Sequence, residues 1–266
     1  MTNSSDILRN PMKEKLARGE VVASMTVRLV RSIEIVRLAK AAGFDSIYVD
    51  LEHNSFSLDT AGQICIAALD AGLTPLVRVP SNAPETISRV LDGGALGIIA
   101  PHVHSAEDAR AVVRAAKLPP HGERSFGGPM PHLNYRNLPP VESNAALNQG
   151  TSVVLMLETA AALDSVEEIV AVEGVDMLMI GTNDLCSELG ITGQYDHPLI
   201  RGAYQRAIAA ARAHGKHIGV GGLGSRADLV TEFVRMGARY VSTGADLGFL
   251  LQEAAARAKA VHDIAL

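Results

Sequence analysis

The side chains in this chain that could do chemistry recur in one setting, at or just beyond the end of a short apolar run. Ser46–Leu51 contains Asp50 and leads into Glu52-His53, and Pro75–Val79 contains Arg78. Leu96–Ala100 is followed by Pro101-His102, Ser152–Leu157 by Glu158-Thr159, and Met177–Ile180 by Gly181-Thr182-Asn183-Asp184. Glu158 and Asp184 belong to successive runs. Two carboxylates with room for water and a bidentate substrate form a hard-oxygen site suited to Mg2+ or Mn2+. The alternative is that each caps the helix that follows it. Arg78 closes an apolar run, where a guanidinium is costly without an anion, so it must face a carboxylate of the protein or of a substrate. His53 follows Asp50 by three residues. Its near-neutral titration suits proton transfer, and a nearby carboxylate can fix its tautomer. His102 and His104 are spaced to share a face, but without further ligands they make a weak metal signal. Cys186 has no base paired with it and reads as space-filling beside Asp184. Arg28, after the first run, reads as a solvated surface side chain, with a second substrate carboxylate as the alternative partner.

Elements of one kind must position these residues. Eight strand-like runs (Val21–Val27, Ser46–Leu51, Pro75–Val79, Leu96–Ala100, Ser152–Leu157, Met177–Ile180, His217–Val220 and Tyr240–Thr243) alternate with stretches, Leu163–Glu173 among them, whose apolar residues recur at the three- and four-residue steps of a helix. Gly43, Gly72, Gly215 and Gly237 end several of those stretches just before the next run, the signal of a helix C-terminus. Runs apolar on both faces imply a parallel sheet covered by helices. Eight such units in 266 residues predict an α/β fold, a (β/α)8 TIM barrel over residues 1–266 as one domain. A doubly wound open sheet would show a Gly-rich phosphate loop after its first strand, and there is none. In a barrel, the polar residues after the runs gather at one mouth. Residues 119–150 break the rhythm with six of the chain's twelve prolines and little helical period. This segment follows a helix and should start at the other end of the barrel, so subunit contact is expected of it and a lid is not. The last helical stretch, Leu247–Ala260, should pack on its own barrel or a neighbour's.

A net charge of −5 without a basic stripe excludes a nucleic-acid partner, and no apolar run is long enough to span a membrane. Residues 1–15 are polar and lack the apolar core of a secretory signal. The two cysteines cannot form a disulfide framework, and a cytoplasmic location is expected.

The landmarks Ala42-Gly43-Phe44-Asp45, Val49-Asp50-Leu51-Glu52-His53, Pro75-Leu76-Val77-Arg78-Val79-Pro80, Gly97-Ile98-Ile99-Ala100-Pro101, Met156-Leu157-Glu158-Thr159, Ile180-Gly181-Thr182-Asn183-Asp184 and Thr243-Gly244-Ala245-Asp246, in this order, resemble the HpcH/HpaI family of metal-dependent pyruvate aldolases along nearly the whole chain. The resemblance implies a barrel that exchanges its last helix with a partner subunit, commonly in a hexamer. It implies a divalent metal (Mg2+, Mn2+ or Co2+) held by Glu158 and Asp184. Arg78 is then expected to stabilise the pyruvate enolate, His53 to act as acid–base with Asp50 near it, and Asp92 to orient a histidine, across subunits in related enzymes. The backbone around Asn183 and Asp184 would hold the pyruvate carboxylate. The implied reaction is the reversible cleavage of a 4-hydroxy-2-oxo acid to pyruvate and an aldehyde through a metal-stabilised enolate. The alternative is a lyase or thioesterase acting on a CoA thioester, as in the citrate-lyase branch. Met156, Thr182-Asn183, Cys186 and Met25-Thr26-Val27-Arg28 depart from the family pattern and bear on the aldehyde half of the pocket.

Overall fold

Eight parallel strands close on themselves in chain order in the computed structural model, which describes residues 7–265. They are β1 (Val22–Val27), β2 (Ser46–Asp50), β3 (Thr74–Arg78), β4 (Gly97–Ala100), β5 (Ser152–Leu157), β6 (Met177–Gly181), β7 (His217–Gly221) and β8 (Tyr240–Ala245). No strand end departs from the sequence expectation by more than two residues. Gly43, Gly72, Gly215 and Gly237 have φ of 86°, 68°, 65° and 134°, so each ends its helix in a backbone conformation that a β-carbon disfavours.

Successive side chains on a strand point to opposite faces, and here the two faces feed separate cores. Ile47, Val49, Val77, Ile98, Val153, Leu155, Leu178 and Ile180 pack outward against the helices. Val22, Tyr48, Leu76, Ile99, Val154, Met156, Met177, Met179 and Tyr240 fill the barrel interior. Met12 and Leu16, from the helix Pro11–Ala17, join the interior cluster and plug its lower end. Asn10 ties that helix down by donating to the Gly150 carbonyl (2.8 Å) and accepting from the Thr74 hydroxyl (3.0 Å).

Two helical expectations need correction. Residues 119–150 contain a 3-10 turn (Pro131–Leu133) and a full helix, Pro140–Gly150. That helix buries Ser143, Ala146, Leu147 and Gly150, which have helical spacing but mostly small or polar side chains, so the sequence shows little apolar contrast. The stretch expected as one helix over 163–173 is two, Ala160–Asp164 and Val166–Ala171, broken at Ser165. Leu118, Met130, Leu133, Ala146 and Leu147 pack with Ile7, Leu8 and Leu96, which places the segment under the N-terminal ends of the strands and away from the mouth. The final helix, Asp246–His262, leaves Leu247, Leu250, Leu251 and Val261 exposed. Phe249 alone of its large side chains stacks on this barrel, against Phe44. Among the described residues no helix is long and apolar enough to cross a membrane.

His132 pins the 119–150 segment to the barrel by donating from Nε2 to the Ala95 carbonyl at 2.9 Å, while its buried Nδ1 has no partner. Burial pushes its pKa down from 6.5 to about 4. Unfolded chains therefore take up a proton near pH 6.5 that the folded chain refuses until about pH 4, and the stability present above pH 6.5 is lost as pH falls through that window. At about 1.4 kcal/mol per pKa unit, the shift to about 4 is worth roughly 3 kcal/mol. Denaturant unfolding measured from pH 7 to 4 should show this acid limb in the wild type and a flatter one in His132→Asn.

Candidate active site

The period of two that fills the barrel also builds the mouth. On β2, Tyr48 faces the interior, and two residues later so does Asp50. Arg78 follows Leu76 on β3 in the same way, and Glu158 follows Met156 at the end of β5. The β2–β3 register sets Asp50 directly beside Arg78. Arg78 Nε and Nη2 donate to the two Asp50 carboxylate oxygens at 2.9 and 2.7 Å. Asp50 is fully buried. Burial pushes its pKa up, but the hydrogen bonds and charge of Arg78, aided by the His53 amide and by Arg28, outweigh this and hold it below the usual carboxylate range. The same carboxylate accepts the Glu52 amide (3.1 Å), the His53 amide (3.3 Å) and Asn54 Nδ2 (3.0 Å), so it shapes the turn that presents Glu52 and His53. Arg78 thus has the protein carboxylate partner that its position demands, and it still lines the central cavity.

Glu158 lies across the mouth and is buried. It does not cap the next helix, because Thr159 does so by accepting the Ala162 amide at 3.2 Å. Gly181 makes room for it: a β-carbon there would fall 2.8 Å from Glu158 Cγ and 2.9 Å from Oε1. Burial raises the Glu158 pKa, the His102 amide (3.2 Å) opposes this, and the charges of Glu52 and Asp184 raise it further. Asp184 is exposed in the first turn of the short helix Thr182–Glu188. Glu52 Oε2 is buried without a hydrogen bond; Arg78 Nη1 stands 2.9 Å from it as an ion pair but is not aligned to donate. Among the described residues no three His, Cys, Asp or Glu side chains are arranged to cage an ion. Glu158 and Asp184 are near enough for the charge of Asp184 to raise the Glu158 pKa, and two carboxylates of this kind are hard-oxygen ligands. Their mutual repulsion and the unmatched Glu52 oxygen fit a cation.

A 380 Å³ cavity beside them is lined by Arg28, Asp50, His53, Arg78, Asn183 and Asp184, with Met156 and Met179 as its apolar floor. A larger hollow of 540 Å³, around Lys117, His121 and Asp176, lies elsewhere and holds none of the mouth residues. His53 is half-exposed at the rim, its Nε2 3.6 Å from Glu52. Two residues matter more here than their strand-end positions alone suggest. His102, with a left-handed φ of 55°, brings Nε2 to 3.0 Å from Glu52 and Nδ1 to 3.6 Å from Glu158. Glu52 faces His53, Arg78 and His102 at once. Both follow strand ends, and that placement is the signal the sequence offers for them. Asp92 is not brought to His53. It ends the helix Pro84–Asp92, just before β4 and so at the opposite end of the barrel, where it accepts from Arg124 Nη2 at 2.6 Å.

The family model described as HpcH/HpaI aldolase/citrate lyase matches residues 30–253. The chain belongs to that family. A 4-hydroxy-4-methyl-2-oxoglutarate aldolase of Hapsidospora irregularis is 43% identical over 216 residues, covering 80% of each chain. A second aldolase described by the same substrate, from Chaetomium globosum, is 40% identical over 226 residues, covering 83% of this chain and 82% of its own. The crystal structure of an HpcH/HpaI aldolase from Desulfitobacterium hafniense superposes with a TM-score of 0.90 at 32% identity, covering 95% of this chain and 97% of the other. Of the positions where this family member departs from the expected pattern, Cys186 is buried and free, as its space-filling reading requires. Arg28 keeps 38% of its side chain exposed, yet it also lines the cavity and stands 3.3 Å from Asp50.

Arg78→Met should destabilise the protein by about 3–5 kcal/mol, the cost of stranding a buried charge. Adding Asp50→Asn to that variant should restore part of the loss in chemical denaturation. Gly181→Ala should leave the barrel folded by circular dichroism yet weaken divalent-cation binding in calorimetry, because the new methyl group occupies the space of the Glu158 carboxylate.

Proposed function

We propose that this chain is a class II pyruvate aldolase, a carbon–carbon lyase that cleaves a 4-hydroxy-2-oxo acid to pyruvate and an aldehyde or ketone and runs the reverse addition. The observation that carries the reading is Glu158, a buried carboxylate excused from helix capping, given room by Gly181, and set against the charges of Glu52 and Asp184. Glu158 and Asp184 would hold a divalent ion such as Mg2+, Mn2+ or Co2+. When bound, such an ion supplies Lewis-acid stabilisation of the negative charge that develops on a keto oxygen.

The chain's own residues supply the rest. Arg78, immobilised by Asp50 and Glu52, presents fixed positive charge to the cavity, and fixed charge costs no reorganisation as an oxyanion develops. His53 stands at the rim with a ring nitrogen free to take the proton of the 4-hydroxyl and return it in the addition direction. Asn183 lines the wall beside Asp184 and would contact the pyruvate carboxylate. No Schiff-base lysine is required, and no lysine lines the cavity. That wall offers only Arg28 and Arg78 as cations, too few to grip the phosphates of a CoA thioester, which favours the aldolase over the citrate-lyase alternative.

The proposal extends to one catalytic domain over residues 1–266 and to a homo-oligomer, a hexamer by family resemblance, acting in the cytoplasm. Leu247, Leu250 and Leu251 on the final helix are exposed here, as a helix docked on a neighbouring subunit would leave them in an isolated chain. Asp92, remote from its own barrel's mouth, would orient a neighbour's histidine. Both free cysteines are buried, which suits a reducing compartment.

A coupled pyruvate-release assay over a panel of 4-hydroxy-2-oxo acids and divalent metals tests the function. Glu158→Gln and Asp184→Asn should each lose roughly a thousandfold or more in turnover, the several kcal/mol that a Lewis acid contributes, with circular dichroism unchanged. Full turnover in excess chelator would overturn the metal assignment.

A further inference from the structure

Arg28 has few partners for a charged group so near a buried site. Its position follows from strand period. Ser24 and Thr26 on β1 face the barrel interior, where the Ser24 hydroxyl accepts from Tyr240 at 2.8 Å and Thr26 meets Ser242 at 3.1 Å. Two residues further on, Arg28 keeps that side. The backbone that carries it is clamped, because the Asp246 carboxylate accepts the amides of Arg28, Leu29 and Val30 at 2.8–3.1 Å.

Arg78 is spent on protein carboxylates, with Nε and Nη2 on Asp50 and Nη1 beside Glu52. Among the described residues the only carboxylate in ion-pair range of the Arg28 guanidinium is Asp50, at 3.3 Å from Nε, and the oxygen it faces already accepts from Arg78 and Asn54. Nη1 and Nη2 of Arg28 make no hydrogen bond to the described residues, and the side chain lines the cavity that Asp184 also lines. Strand order puts β1 four strands from β5 in either direction, so Arg28 stands across the mouth from the end of β5 that bears Glu158.

We propose that Arg28 is a specificity-determining residue that receives a carboxylate at the far end of the substrate. The enzyme then favours 2-oxo acids with a second, terminal carboxylate over those with a neutral end. A guanidinium with two parallel N–H groups free matches a planar carboxylate in a fork geometry that an ammonium cannot reproduce. The proposal rests on the aldolase reading only in assigning the keto-acid end of the ligand to Glu158 and Asp184.

The test uses ligands without the 4-hydroxyl, which no retro-aldol reaction can cleave: 2-oxoglutarate against 2-oxopentanoate, and 2-oxoadipate against 2-oxohexanoate. Each pair is matched in length and differs only in whether the end is carboxylate or methyl. Calorimetry of the full chain with Mn2+ should show the wild type binding the dicarboxylate of at least one pair about tenfold to a hundredfold more tightly, the range of a charged hydrogen-bonded contact. Arg28→Met should erase that preference, and Arg28→Lys should keep part of it, with unchanged thermal melts certifying both folds. A wild type without preference in either pair, or one that binds none of the ligands, overturns the proposal. So does a folded Arg28→Met variant that keeps the preference. If the preference depends on Arg28 while no 4-hydroxy-2-oxo acid is cleaved, the aldolase reading falls and the carboxylate site stands. Cleavage without preference has the opposite meaning: the aldolase reading stands and the carboxylate site falls.

Discussion

Asp50 carries a full negative charge in a place water does not reach, and Arg78 makes that state possible. An unpaired carboxylate at such a depth would cost several kcal/mol or take up a proton. The pair forms because β2 and β3 run in a register that sets the two residues side by side. Buried ion pairs are poor devices for raising stability, since desolvation consumes much of the attraction. What this one provides is placement. With Arg78 fastened on one side, the remaining lone pairs of Asp50 collect the amides of Glu52 and His53 and the side chain of Asn54. The turn that carries the acid–base candidate therefore hangs from the same carboxylate that fixes the arginine. Arg28, Glu52, His53 and Arg78 form one assembly around a single buried charge.

Strand period extends that logic to the whole mouth. Interior positions on β2, β3 and β5 are apolar at mid-height (Tyr48, Leu76, Val154 and Met156) and charged at the top (Asp50, Arg78 and Glu158). The floor of the site is thus the upper surface of a packed core, and polar groups seated on it have little freedom to drift. The lower end is closed independently by Met12 and Leu16 and by the cluster around Leu118 and Leu133. Closure and chemistry occupy opposite ends, and most side chains near one end contribute little to the other.

Most of this is legible in the sequence because apolar runs ending in charge, and glycines ending helices, each have a local physical cause. The eight strands can be read directly, as can Asp50, His53, Arg78, Asn183 and Asp184, which line one cavity, and Glu158, which follows the end of β5. The helix Pro140–Gly150 escapes such a reading because its buried face is built of Ser143, Ala146 and Gly150, which carry almost no apolar signal. Arg28 reads as solvated because a charged residue after a strand usually is. Its parity with Ser24 and Thr26 points inward, and parity is the stronger indicator inside a closed barrel. Glu52 and His102 are legible as polar residues after strand ends, but their convergence depends on the left-handed backbone at His102, which a non-glycine residue does not advertise. Asp92 is legible only through resemblance: within this chain its partner is Arg124, at the far end from His53.

The arrangement also explains how a cationic and an anionic cluster coexist in one small mouth without neutralising each other. Left free, Arg78 would be drawn to Glu158, and a salt bridge would occupy the carboxylate that the proposed reading assigns to a metal ion. Three features prevent this. Asp50 and Glu52 engage all three guanidinium nitrogens of Arg78. Met156 places its sulfur 4.0 Å from Nη1, an apolar wall on the side facing β5. Glu158 is drawn instead to the backbone amide of His102, a neutral donor that orients the carboxylate without cancelling its charge. The result is a mouth with Glu158 and Asp184 beside β5 and β6 and with Arg28 and Arg78, paired with Asp50 and Glu52, beside β1 to β3, with Met156 and Met179 as an apolar floor. In such a cavity a small polar molecule is oriented before any bond changes. On the proposed reading, a keto-acid end held by a cation on the acidic side would leave the rest of the molecule pointing toward the arginines, so the order of charges around the barrel would decide which end of a substrate is activated.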